Sequence, residues 1–195
     1  MKSASQEEEM TRWFTSDLHL GHVKINELAG RPFSSVEEMN EILVARWNDV
    51  VSPGDEVWVL GDFVMGKKDE TLPLVSRLNG TKHLIPGNHD RVMPTDPQLA
   101  RWLPRYREVG IIVHNMYEEI QFGKSGAGMC HFPFSGDSHG GDRYEELRPV
   151  DEGQLLLHGH VHEQWKQRGR MLNVGVDVWD FYPVHEETIR ERFGV

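Results

Sequence analysis

Short β-rich runs that end in polar residues recur along this chain and constrain its fold more than any other feature. They cover residues 12–15, 57–60, 82–85, 111–116, 128–130, 155–157 and 171–174. Each run has the length of one strand and is too short for a typical helix. Strands of this kind pair into sheets, so the polar residues that follow them are expected at a sheet edge.

Helical stretches separate the early strands. In the clearest of them, residues 36–50, Ser35 and Glu38 have the spacing of a capping box and apolar residues then recur at helical intervals. Further helices are predicted at residues 70–78, 98–103 and 186–193. This order predicts an α/β layered sandwich in which parallel βα units come first and antiparallel strands follow.

Composition narrows the class of protein. A length of 195 residues with 38% hydrophobic residues predicts a single domain over residues 11–195. Residues 1–10 are polar and acidic and are expected to be a flexible leader. The net charge of -10 argues against binding extended nucleic acid, which depends on clustered Lys and Arg. With one cysteine, no disulfide or thiolate metal cage can form within the chain. The absence of an apolar run of about 18 residues and of a signal sequence predicts a cytoplasmic protein without a membrane partner.

Five polar clusters follow predicted strands, and each contains Asp, Asn or His. They read Asp17-Leu18-His19, Gly61-Asp62, Gly87-Asn88-His89-Asp90, His131 and Gly159-His160-Val161-His162. Oxygen and imidazole donors without thiolate are typical of Mn, Fe, Co, Ni or Zn, and the number of donors predicts two such ions. A carboxylate can reach both ions where an imidazole cannot, so Asp62 is the candidate bridge.

The local backbone around these donors can also be predicted. If the chain stays extended, Asp17 and His19 point the same way, as do His160 and His162. The glycines that precede the ligands are expected to allow tight turns, and they are Gly61, Gly87 and Gly159.

The order D-x-H, G-D, G-N-H-D, H and G-H-x-H resembles the signature of calcineurin-like metallophosphoesterases over residues 17–162. The resemblance implies an α/β/β/α sandwich with mixed sheets flanked by helices. It also implies that one metal is held by Asp17, His19, Asp62 and His162. The second metal would be held by Asp62, Asn88, His131 and His160.

The resemblance further implies that His89 protonates the leaving oxygen or stabilises the transition state, with Asp90 orienting its ring. Two metal ions would supply the attacking hydroxide. Mn is the expected ion, and Fe, Ni, Co and Zn are the alternatives. The protein phosphatases of the family extend the second motif to G-D-x-V-D-R-G, whereas here residues 61–66 read G-D-F-V-M-G. The short chain is more similar to compact bacterial and phage-type members.

The expected function is therefore a dinuclear phosphodiesterase acting on small nucleotide-like esters, among them cyclic nucleotides. A nucleotide or protein phosphomonoesterase is one alternative, and a catalytically silent interaction module on the same fold is another. The oligomeric state is left open.

Four further residues are candidates for substrate contact. His22 follows the first motif, and the alternative for it is a structural histidine. For Arg91, the alternative to substrate contact is an ion pair with a nearby acidic residue. His139 and Arg143 lie in the polar stretch 134–149, which has no apolar periodicity and is expected to be either a substrate-facing lid or an ordinary connection.

Overall fold

The structure is a computed structural model that describes residues 10–195. The predicted leader therefore lies outside the described residues, apart from Met10, which is exposed. In chain order the elements are β1 (Arg12–Thr15), α1 (Ile25–Leu28), α2 (Val36–Val50), β2 (Glu56–Val59), α3 (Lys68–Val75), β3 (Thr81–Leu84), α4 (Leu99–Glu108), β4 (Ile111–Val113), β5 (Tyr117–Phe122), β6 (Ser125–Cys130), β7 (Leu155–His158), β8 (Gln167–Arg168), β9 (Met171–Asn173), β10 (Val184–His185) and α5 (Glu186–Phe193).

The first sheet has the strand order β10-β1-β2-β3-β4. Strands β1 to β4 are parallel to one another, while β10 joins β1 antiparallel. Parallel neighbours need crossover connections, and α2 and α3 provide them between β1, β2 and β3. The predicted βα units of the first half are confirmed, and they place the carboxyl ends of β1, β2 and β3 side by side.

The second sheet has the order β5-β6-β7-β9-β8 and is mixed. β5 and β6 form an antiparallel hairpin, and β8 pairs antiparallel with β9. The prediction of antiparallel strands throughout this half is wrong at its centre, where β6, β7 and β9 run parallel. The long connection of residues 131–154 allows this, because it returns the chain to the start of β7.

Three apolar clusters define the layers. Val57 and Val59 of β2 face α2, α3 and α4, while the alternate residue Trp58 faces the second sheet. The outer face of the second sheet is covered by the segment after β6, through Phe132 and the 3-10 turn Glu145–Leu147. The mixed α/β sandwich with two sheets flanked by helices is thus confirmed.

Several element boundaries differ from prediction. α2 occupies the predicted residues, and the Ser35 hydroxyl caps it by accepting from the Glu38 N–H. α4 continues to Glu108 although Pro104 lies inside it, where the prediction ended at residue 103. β5 was missed because three of its six residues are charged or amide side chains, as expected of a strand with one solvated face.

None of the helices in residues 10–195 is long and apolar enough to cross a membrane.

Candidate metal centre

The predicted metal ligands meet where the two sheets present the carboxyl ends of their parallel strands. Asp17, Asp62 and Asn88 follow β1, β2 and β3 of the first sheet. His131, His160 and His162 follow β6 and β7 of the second. The sheets are joined here by the backbone N–H of His160, which donates to Asp17 Oδ2 at 2.9 Å. Ligand sites are expected at such edges.

Most of these ligands have a left-handed backbone rather than the extended one that was predicted. The φ angles are positive at five of them: Asp17 (57°), His19 (52°), Asp62 (55°), His160 (71°) and His162 (47°). Each costs about 1–2 kcal/mol, and backbone strain of this kind is concentrated at functional sites. The extended backbone assumed for Asp17 and His19, and for His160 and His162, is therefore absent, although Asp17 and His19 still belong to one group of possible ligands.

Hydrogen bonds stabilise this strained backbone. The N–H groups of Asp17 and His19 donate to the carbonyls of Gly61 and Asp62 at 3.0 and 2.9 Å. The N–H of Asp62 donates to the Asp90 carboxylate at 2.7 Å. At Asp17, His19, Asp62 and His160 the backbone N–H thus stays paired in spite of the left-handed turn.

Asp62 lies at the centre of the cluster. Its Oδ2 is 3.5 Å from His19 Nε2 and 3.6 Å from His131 Nε2, and its Oδ1 accepts from the His89 N–H at 2.8 Å. His131 Nε2 is also 3.0 Å from Asn88 Oδ1. A carboxylate placed between imidazoles on two sides is well positioned to contact two cations.

Buried nitrogen and oxygen atoms of the site that lack hydrogen-bond partners are suited to bind a cation. Within residues 10–195, Asp17 Oδ1 and both ring nitrogens of His19 are buried and have no hydrogen-bond partner. One group of ligand atoms comes from Asp17, His19 and His162, and a second from Asp17, Asp62 and His131, with the atoms of each group within 4.8 Å of one another. Unpaired buried polar atoms are costly, and a divalent cation would satisfy them.

The electrostatics of the site favour a cation as well. Burial raises the pKa of Asp17 and lowers that of His19, because a low-dielectric environment disfavours the charged form of each. Burial alone would also raise the pKa of Asp62, but the charges of His131 and His89 outweigh it and lower the pKa. A neutral His19 beside an ionised Asp62 is the pair of protonation states that ligates a metal.

Three ligand histidines are oriented by acceptors at their other ring nitrogen. His131 Nδ1 is 2.8 Å from the Leu60 carbonyl, and His162 Nδ1 is 2.9 Å from Asp177 Oδ2. His160 Nε2 is 3.0 Å from Asp137 Oδ2. Carbonyls and ionised carboxylates only accept, so each of these nitrogens carries the hydrogen. When the ring is neutral, its opposite nitrogen has the lone pair for a metal.

Asp177 is a functional residue that sequence reasoning missed. Burial alone would lower the pKa of His162, but the hydrogen bond to Asp177 and the charges of Asp17 and Asp177 raise it to about 9. Asp177 lies in the 3-10 turn Val176–Val178 after β9. Like His131, His160 and His162, it follows a strand of the second sheet, and this position was the available signal.

Arg31 is a second missed residue. Its side chain is fully buried, and Nε and Nη2 donate to the two carboxylate oxygens of Asp177 at 2.7 and 3.1 Å. Its guanidinium also donates to the backbone carbonyls of Asp17 and Leu18 at 2.6 and 3.0 Å. Arg31 thus fixes the first ligand loop relative to the acceptor of His162. Nothing in the sequence around it forms a recognisable motif.

Two of the three motif glycines are required for close approach rather than for turning. Gly61 has a φ of +87°, as predicted for a tight turn. Gly87 and Gly159 do not have positive φ, but a Cβ at Gly87 would lie 2.4 Å from Asp62 Oδ1. At Gly159 it would lie 2.0 Å from Ser16 Oγ and 2.4 Å from Asp17 Oδ2. Any side chain there would displace a ligand.

His89 lies at the rim of the cluster, as a group that acts on substrate requires. Its ring is 44% exposed, with Nε2 4.0 Å from Asp62 Oδ2. The role predicted for Asp90 needs correction. Its carboxylate accepts from the N–H groups of Asp62, Phe63 and Gly87 at 2.7, 3.2 and 2.9 Å, and no hydrogen bond joins it to His89 in the part of the chain described. Asp90 therefore fixes the loop that carries Asp62, not the His89 ring.

A cleft of about 300 Å³ opens over the cluster. Of the four predicted substrate contacts, His22, His139 and Arg143 line it together with Ser138, Tyr144 and Glu163. The His22 ring is 5.3 Å from that of His19, and burial lowers its pKa. The stretch 134–149 thus faces the cleft, which supports the substrate-facing prediction. Whether it moves as a lid stays a prediction.

Arg91 does not face this cleft. It donates to Asp96 at 3.2 Å and lines a neighbouring cavity of about 530 Å³, which also borders Asn88 and His89. The ion pair that was one of its two alternatives is therefore present.

Comparison with known proteins agrees with the site. The family model described as calcineurin-like phosphoesterase matches residues 10–164. The chain belongs to this family, whose members are metal-dependent phosphoesterases, so a hydrolase activity is the coarse assignment that follows.

Individual relatives extend the similarity along the chain. The gene 66 protein of Mycobacterium phage L5 is 32% identical over 86% of this chain and 86% of its own length. The gene 66 protein of Mycobacterium phage D29 is 34% identical over 89% of this chain and 92% of its own length. A protein of unknown function from Aquifex aeolicus has the same fold, with a TM-score of 0.72 and 24% identity over 94% of this chain and all of that one.

Proposed function

We propose that this chain is a dinuclear metal-dependent phosphodiesterase that hydrolyses small nucleotide-like esters, among them cyclic nucleotides. The observation that carries the proposal is a pair of ligand groups that share Asp17, in which Asp17 Oδ1 and both ring nitrogens of His19 are buried without a hydrogen-bond partner. We propose Mn as the ion, with Fe, Ni, Co or Zn as alternatives, because the donors are imidazole and oxygen. When bound, the ions would lower the pKa of water and offset the charge of the reacting phosphoryl group.

The residues of the chain have separate roles in this proposal. Asp17, His19, Asp62 and His162 would hold one ion, and Asp62, Asn88, His131 and His160 the other. His89, at the exposed rim, would give a proton to the leaving oxygen. Asp90 would keep Asp62 in place through the hydrogen bond that its carboxylate accepts from the Asp62 backbone N–H.

The charge of the cleft wall favours a diester over a monoester. A phosphomonoester carries about two negative charges at neutral pH, whereas a diester carries one. Arg143 is the only Arg or Lys among the described residues that line the cleft, and Asp137 neutralises it at 2.6 Å. Glu163 adds a negative charge to the same wall. Outside the two proposed ions the wall thus adds no net positive charge, and a substrate of lower charge is better matched to it.

The test compares hydrolysis of bis-p-nitrophenyl phosphate and p-nitrophenyl phosphate with Mn. We expect the natural chain to hydrolyse the diester faster than the monoester. In His89→Ala the rate of diester hydrolysis should fall by about 10²-fold or more, because the residue that transfers the proton is removed. His114→Ala is the matched control, because this histidine follows β4 and does not line the cleft. A monoester preference would replace the diesterase proposal with a phosphomonoesterase. Silence on both esters with every metal would favour an interaction module.

A further inference from the structure

Asp137 is a buried carboxylate within an otherwise polar loop, and sequence reasoning did not single it out. Its side chain is fully buried, although its neighbours Gly136 and Ser138 are partly exposed. Five donor groups surround it. They are His160 Nε2 at 3.0 Å, the Arg143 guanidinium at 2.6 Å, Arg148 Nη2 at 3.6 Å and the backbone N–H groups of His139 and Arg143 at 3.1 and 3.2 Å.

One end of this network reaches a predicted metal ligand. Because Asp137 accepts from His160 Nε2, the lone pair of the neutral ring lies on Nδ1. The His160 ring is also packed between Phe132 and Tyr144, with centroid distances of 5.0 and 5.7 Å. All three neighbours belong to the segment that follows β6, so this segment sets both the tautomer and the orientation of the ring.

The other end reaches the wall of the cleft. Arg143 donates to Asp137 from both Nε and Nη2, and its guanidinium lies 5.6 Å from the centre of the Tyr144 ring. Arg148 ties the base of the loop by donating to the carbonyls of Pro133 and Arg143 at 2.9 and 3.0 Å. A single carboxylate thus connects a residue that lines the cleft with a residue of the metal centre.

We propose that Asp137 is a positioning residue that couples the substrate-facing loop to the metal centre. It would hold His160 with Nδ1 available to a metal and would hold Arg143 against the cleft. This inference rests on the proposed function, since it assigns Asp137 to the ligand His160. Acceptors of this kind typically affect metal affinity by about 10- to 100-fold.

Asp137→Ala tests the coupling, and Asp142→Ala is the matched control. Asp142 lies in the same loop and accepts only from the Gly136 N–H at 2.8 Å, among the hydrogen bonds described for it. Calorimetric titration of metal-free protein with Mn should show one of two sites weakened about 10- to 100-fold in Asp137→Ala and both intact in the control. The KM for bis-p-nitrophenyl phosphate at saturating Mn should rise as well, because Arg143 loses its anchor.

The conservative variant Asp137→Asn separates positioning from folding. Its amide oxygen can still accept from His160, so it should recover most of the metal affinity, and heteronuclear NMR of the His160 ring should retain the hydrogen on Nε2. Equal Mn binding in Asp137→Ala and Asp142→Ala would overturn the coupling while the natural chain remains an active phosphoesterase. A natural chain that neither binds Mn nor hydrolyses either aryl ester would overturn the proposed function itself.

Discussion

Replacing Arg31 by methionine removes a buried guanidinium that joins two parts of the candidate site. The side chains of Arg31 and Asp177 are 0% and 2% exposed, and the pair is bidentate at 2.7 and 3.1 Å. Methionine retains an unbranched chain of similar length but cannot donate. The substitution leaves the Asp177 carboxylate with His162 as its remaining side-chain partner in the described structure. The carbonyls of Asp17 and Leu18 also lose the donors that Arg31 supplied.

The expected loss follows from this burial. Removing one member of a buried ion pair costs about 3–5 kcal/mol, because the other charge stays desolvated. We take about 4 kcal/mol for Arg31→Met, since His162 compensates part of the Asp177 charge. With a urea m-value of about 2 kcal/mol/M, the unfolding midpoint should fall by about 2 M.

The assay is urea unfolding of the metal-free protein, followed by fluorescence and far-UV circular dichroism together. Arg77→Met is the control, because Arg77 makes an equally bidentate pair with Glu41 on the surface, with side chains 44% and 62% exposed. Water screens such a pair, so the control should keep the natural midpoint. Equal midpoints for the two variants would refute the argument that Arg31 holds the site together through a buried charge.

Two further predictions concern the backbone and acid stability. Gly159→Ala places a Cβ 2.4 Å from Asp17 Oδ2 and 2.0 Å from Ser16 Oγ, so the Mn affinity measured by calorimetry should fall at least tenfold. Gly54→Ala is the control, because no atom lies within 4 Å of its Cβ, and it should bind Mn as the natural chain does. Burial lowers the pKa of His158 to about 3, below its ordinary 6.5. As the pH drops below 6.5, His158 therefore takes up a proton in the unfolded chain but not in the folded one, so the free energy of unfolding falls. Between pH 7 and 5 the metal-free protein should lose about 2 kcal/mol more than His158→Gln, and equal losses in urea unfolding would contradict this.

The parts of the fold that were predicted correctly depend on local signals. α2 has a capping box and helical periodicity within 16 residues, and it forms where predicted. β8 and β10 have two residues each and carry no such signal, since they exist only through pairing with β9 and β1. The parallel centre of the second sheet is a property of the 131–154 connection, which no local pattern encodes.

The candidate site divides in the same way. The candidate ligands belong to a fixed order of short motifs, so Asp17, Asp62 and His131 were predicted from the sequence, and the structure brings them into one group. Their conformation was not predicted, because a left-handed φ at a non-glycine residue is disfavoured by local propensity and persists only through tertiary hydrogen bonds. The Asp17 N–H, for example, is paired with a carbonyl 44 residues further along the chain.

The residues that the sequence did not predict hold the candidate ligands in place. Asp137 lies 23 residues from His160, and Arg31 lies 146 residues from Asp177, so neither pairing leaves a fixed spacing in the sequence. His131, His160 and His162 would each offer a metal only the nitrogen that the distant acceptor leaves free. Because Asp137 accepts from both His160 and the cleft residue Arg143, we expect its loss to alter metal binding and substrate binding together, although every motif residue is retained.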